Sequence, residues 1–177
     1  MVDVMKRVED NSYLEQRGRV WWYNRRVPRK FAHLDTRKRI KESLGTTSIE
    51  QARYKRDLLA EADDHYWASL QIADEARPST NREVSEAVSR RYKMATVKAL
   101  ATGFTYQPID HLATEAPIEE TLAKLLAVQT QAGPAEIPKE RDAEALLGGA
   151  TKPTITVTEA FEIYLSEIAY NAQLYKS

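Results

Sequence analysis

The residues best equipped to do chemistry in this chain are its cations. Between positions 16 and 56 stand Arg17, Arg19, Arg25, Arg26, Arg29, Lys30, Arg37, Lys38, Arg39, Lys41, Arg53, Lys55 and Arg56, thirteen in 41 residues. Only Asp35, Glu42 and Glu50 oppose them, which leaves an excess of ten positive charges. Residues 1–15 carry an excess of two negative charges and residues 57–177 an excess of eight, so the 177-residue chain is formally neutral. Like charge this dense destabilises a small folded unit unless a polyanion relieves it. The segregation points to a basic, nucleic-acid-binding module joined to an acidic remainder.

Other chemistry is thinly represented. The absence of cysteine excludes a disulfide framework, a thiol nucleophile and thiolate-held metal. His33, His65 and His111 lack the i+4 partner of a metal-binding helix, and there is no glycine-rich phosphate loop or Gly-x-Ser-x-Gly elbow. No metal site, cofactor or small-molecule substrate is therefore expected. Asp63–Asp64 and Glu119–Glu120 sit at adjacent helical positions that point in different directions, so they read as solvated faces rather than proton-sharing pairs. No run approaches the ~20 apolar residues of a membrane span. Asp3, Glu9 and Asp10 occupy an N-terminus without an apolar secretory core. The expected location is the cytoplasm, away from membranes.

The elements that must position the cations read as a small sheet. Ser12–Arg17 is a first strand, with Gly18 relieving the turn after it. Val20–Val27 is aromatic and β-branched, and Pro28 ends it because proline cannot donate to a ladder. Lys38–Leu44 alternates, with Ile40 and Leu44 on one side and Arg39, Lys41 and Ser43 on the other. On the second strand Trp21, Tyr23, Arg25 and Val27 form the set expected to face a helix. Trp22, Asn24 and Arg26 then join Arg39 and Lys41 outside. The aromatic residues suit either a small-sheet core or a base-stacking platform, with at least one tryptophan structural.

Thr47 with Glu50, or Ser48 with Gln51, opens a helix expected to run to about Ala76, before Pro78. Ile49, Ala52, Leu59, Ala62, Tyr66, Leu70 and Ala73 form its apolar stripe. Helices follow over Thr80–Leu100, from Pro117 to about Gln131, and over Glu136–Leu147, with a loop at Gly103–Pro108. Gly148–Pro153 reads as a linker. Thr156 and Glu159 cap a last amphipathic helix with Val157, Ala160, Phe161, Tyr164, Leu165 and Ile168 on one face. The fold class is α+β: a three-stranded antiparallel sheet packed on a helix, then a mainly helical region. The divisions are a sheet-plus-helix module at 10–76, a helical spacer at 77–150 and an opening helix at 151–177.

Several of these segments resemble a known family. Tyr13–Gly18, Val20–Pro28, Ile40–Thr47 and Gln51–Arg53 resemble the N-terminal region of phage-type integrases, the tyrosine site-specific recombinases. Gly103–Pro108 resembles the helical spacer of one subgroup, and Thr156–Phe161 with Tyr164 and Leu165 resembles the opening helix of the core-binding domain. The resemblance implies a small sheet that binds arm-type sites in double-stranded DNA, followed by core-binding and catalytic domains. It also implies a tyrosine nucleophile with two arginines, a lysine and a His-x-x-Arg element. None of the three histidines is followed by arginine three residues on, and Tyr164, Tyr170 and Tyr175 read as core or surface. No catalytic residue carries over. The chain therefore reads as the non-catalytic N-terminal portion of an integrase, truncated before its catalytic domain.

The residues expected to touch DNA phosphates are Arg17, Arg19, Arg25, Arg26, Arg39 and Lys41. Asn24 is the candidate base reader, because its amide can pair with an adenine edge. The competing expectation is a protein–protein assembly module that meets other recombinase subunits through the sheet and the apolar C-terminal helix.

Overall fold

The computed structural model describes residues 11–75, 81–132 and 140–154, together with Phe161 and Leu165. Three antiparallel strands come first: β1 (Leu14–Arg17), β2 (Val20–Arg26) and β3 (Arg39–Ser43), in the order β1-β2-β3. Arg17 pairs with Val20 across a two-residue turn. Gly18 supplies the φ of 61° that its first position requires. β1 starts at Leu14 rather than Ser12, because Tyr13 adopts a φ of 63° that breaks the extended run. A short 3-10 turn, Arg29–Phe31, follows Pro28.

Helix α1 (Ile49–Glu75) lies on one side of the sheet. Of the two expected caps, Ser48 is the one seen: its Oγ accepts the Gln51 N–H at 3.4 Å. The buried face of α1 steps through Ala52, Arg56, Leu59, Asp63, Trp67 and Leu70, each three or four residues after the last. Ala73, expected on that stripe, is exposed, and Asp63, expected in solvent, is buried. Tyr23, Val27, Phe31, Ile40, Leu44, Ala52, Leu59 and Trp67 make the first core. Trp67 is its centre: wholly buried, stacked on Phe31 at 5.6 Å, with Nε1–H donating to Asp35 Oδ2 at 2.9 Å.

The rest is helical: α2 (Asn81–Ala101), α3 (Ile109–Thr114), α4 (Ile118–Ala132) and α5 (Glu140–Leu146). A second core joins Ala95, Ala99, Tyr106, Val128, Ala145, Leu146 and Ala150. The expected linker therefore begins as packed structure. The Tyr106 hydroxyl donates to Ala150 O, and the Ile109 N–H donates to Gly148 O at 3.1 Å. At Gly148, with φ of 75°, an added Cβ would sit 2.2 Å from Gln107 O, so this approach admits only glycine. Helix α4 is inverted relative to expectation. Lys124 is buried, donating to Thr105 O at 3.2 Å and Gln107 Oε1 at 2.7 Å, while Ile118, Leu122, Leu125 and Leu126 are exposed.

Charge joins the two cores. Lys98 of α2 donates to both oxygens of Glu42 on β3, at 2.9 and 3.0 Å, and lies 2.8 Å from Asp142 of α5. Arg141 of α5 donates to Asp63 Oδ1 at 2.8 Å, and the Tyr23 hydroxyl donates to Asp63 Oδ2 at 2.7 Å. All six side chains are buried. Burial alone would push the Lys98 ammonium down, but Glu42 and Asp142 more than offset it and hold it above the usual range. Burial, reinforced by Asp63, pushes the Tyr23 hydroxyl up, which keeps it a donor. These bonds cross the expected boundary near residue 77, so the helical region is seated on the sheet module.

The sequence stripe of the C-terminal helix lies outside the described residues, apart from Phe161 and Leu165, which are helical and exposed. No helix among the described residues is long and apolar enough to cross a membrane.

Candidate functional site

Residues paired directly across an antiparallel ladder share a face, so the register sorts the sheet without ambiguity. Leu14 opposes Tyr23, which opposes Glu42, and Arg25 opposes Ile40. That set meets α1. The other face carries Glu15, Trp22 and Ser43 in one row, Asn24 with Lys41 in the next, and Arg26 with Arg39 beyond. The pattern on β3 is strict: Ile40 and Glu42 are buried, whereas Arg39, Lys41 and Ser43 are exposed.

Five of the seven expected contact residues lie on or beside the outward face. Arg17 sits at the β1 end, its guanidinium 4.9 Å above the Trp22 ring and its Nε donating to Glu15 Oε1 at 3.0 Å. Arg19 is exposed in the adjoining turn. Arg26, Arg39 and Lys41 are exposed on the face itself.

Arg25 is corrected. It belongs to the helix-facing set, where it donates to Ala60 O at 2.8 Å and Asp64 Oδ1 at 2.7 Å and lies over the Trp67 ring at 4.7 Å. Its charge is spent fixing α1 to the sheet, and it has no path to a ligand on the other side. Asn24 faces outward, but both ends of its amide are engaged: Nδ2 donates to Glu15 Oε2 at 2.6 Å, and Oδ1 accepts from Arg39 at 3.0 Å. Reading a base would require both bonds to open.

The remaining cations divide in the same way. Arg37 is taken by Asp35, Arg53 donates to Asn11, Lys55 donates to Leu44 O, and Arg56 donates to Ser12 O and Asp57. Arg29, Lys30 and Lys38 are exposed near the far end of the sheet. The positive charge is thus concentrated on one face and one end, with the rest used internally. Glu15 is the acid on the outward face, and Arg17 and then Asn24 hold its carboxyl below the usual range.

Asp35 supports this arrangement from beneath. Burial disfavours its ionised form, but hydrogen bonds from Arg37 and Trp67 more than compensate and hold its carboxyl below the usual range. A depressed carboxyl contributes stability that is full above the unfolded value, near ~3.9, and is lost as pH falls through the folded one. Thermal midpoints across the acid range should therefore separate wild type from Asp35→Asn at neutral pH, with the gap closing below about pH 4. A gap that persists unchanged into strong acid would remove this role.

The histidines stay apart: His33 lies 3.4 Å from Asp74, His65 3.7 Å from Glu61 and His111 3.3 Å from Glu115. Among the described residues no group of three or more His, Asp or Glu is placed to hold a metal ion. The largest groove, about 380 Å³, lies between α1, α2 and α5, away from the cationic face, and is walled by Leu70, Val88, Arg91 and Glu144.

What sequence reasoning missed was the internal spending of charge. Asp63, Asp64 and Asp142 lie tens of residues from the cations they hold, and no local spacing announces them. No curated protein and no solved structure matches this chain. Residues 13–72, which span the sheet and nearly all of α1, match a family model described as a domain of unknown function (DUF6538).

Proposed function

We propose that this chain is a double-stranded DNA-binding module acting in the cytoplasm, with the outward sheet face as its phosphate-contacting surface. The observation that supports it most is the row in which Arg26 directly opposes Arg39, next to exposed Lys41. Like charges directly opposite on a ladder are destabilising, and an anion laid across them relieves the cost. A sheet face with arginines and lysines is one of the forms in which proteins enter a DNA groove. Arg17, Arg19, Arg26, Arg39 and Lys41 contact phosphates in this reading, and Asn24 reaches a base edge only after giving up Glu15 and Arg39.

The resemblance to integrase N-terminal regions supports the same reading and suggests a role in site-specific integration and recombination. The chain would then supply binding, while the strand chemistry belongs to a domain of the recombinase that it lacks. The rival reading, assembly with other subunits through the sheet, is weakened by the same charges, because two such faces brought together repel.

The test is duplex affinity as a function of salt. Each neutralised phosphate contributes about 0.9 to the slope of log affinity against log salt. Arg39→Ala with Lys41→Ala should weaken binding and flatten that slope by about 2, with the thermal midpoint preserved because both side chains are exposed. A wild-type affinity independent of salt would sink the proposal.

A further inference from the structure

We infer that the phosphate-binding surface does not stop at the sheet but turns the corner at its far end, taking in Arg29, Lys30 and Lys38. This extension rests on the DNA-binding reading above. Arg26 ends β2 and Arg39 begins β3, and the two are cross-strand partners. Lys38 adjoins Arg39 in sequence, and its carbonyl accepts the Val27 N–H at 3.3 Å, so Lys38 is tied to the same end. Arg29 is three residues beyond Arg26, within about 11 Å of it at full extension. Lys30 lays its ammonium 4.5 Å from the Phe31 ring centre, which holds this cation at the rim, over the edge of the first core.

Five exposed cations therefore share one end of the molecule. The acids nearest in the chain are committed elsewhere: Asp35 is buried beneath Arg37 and Trp67, and Asp74 faces His33. Pro28 and the 3-10 turn make the track rigid, because Phe31 N–H donates to Pro28 O at 2.9 Å and Phe31 stacks on Trp67. A fixed corner of this kind suits a phosphate backbone that continues past the sheet edge. Such contacts position the duplex and carry no sequence information.

The experiment measures fluorescence anisotropy of a labelled random-sequence duplex against salt for three proteins: wild type, Arg39→Ala with Lys41→Ala, and Arg29→Gln with Lys30→Gln and Lys38→Gln. The glutamines keep side-chain length while removing charge, and circular dichroism checks the fold. The expected result for the triple variant is a slope flatter by about 2.7, equal across unrelated duplex sequences. A full wild-type slope in the triple variant, with the double variant still impaired, would overturn the extension and leave the sheet-face reading standing. An absence of salt-dependent binding by wild type would overturn both.

Discussion

Lys98→Met is expected to cost about 3–5 kcal/mol of folding free energy, because it strands Glu42 and Asp142 in the interior without their shared cation. The lysine is 2% exposed, so water does not take its place. Methionine fills nearly the same volume, which limits the cavity contribution and leaves the unpaired carboxylates as the main cost. Urea unfolding should show a lower midpoint with an unchanged slope. Glu42→Gln with Lys98→Met and Asp142→Asn, which removes the charges together, should recover a large part of the loss. A single variant that loses less than ~1 kcal/mol would show that the three groups are not coupled as the distances imply.

The second large effect is expected at Trp67. Trp67→Ala should cost about 3–5 kcal/mol, since it opens a cavity under Phe31 and removes the indole donor to Asp35 and the ring beneath Arg25. For a chain of this size that corresponds to a fall in thermal midpoint of roughly 10 °C or more. Trp67→Phe separates the contributions: it keeps most of the stacking and loses the hydrogen bond, so it should recover well over half of the loss. Equal destabilisation by both substitutions would place the effect in the polar contact rather than in packing.

These two residues also mark where the sequence was legible. The hairpin, the inward Tyr23 and Val27, and the alternation of Ile40 and Leu44 are local patterns of period two, and the structure reproduces them. Glu42 occupies the same inward register but is charged, so the pattern alone did not place it in the interior. Its partner Lys98 is 56 residues away. The stripe on α1 was drawn through apolar residues only. The real face includes Arg56, Asp63 and Trp67, because each polar member finds a partner on another element. Helix α3 escaped notice because six residues after Pro108 carry too little periodicity to register. At the candidate site the outward cations followed from the strand register, whereas Arg25 was misassigned as a ligand contact. An arginine on a helix-facing position needs an acceptor on that helix, and Asp64 meets the need.

Helix α4 has a consequence for handling the molecule. With its lysine turned in and Ile118, Leu122, Leu125 and Leu126 turned out, it presents an oily ridge on a particle whose formal charge at pH 7 is zero. Nothing long-ranged then keeps neighbouring particles apart, so concentrated solutions near neutrality are the ones most prone to clouding.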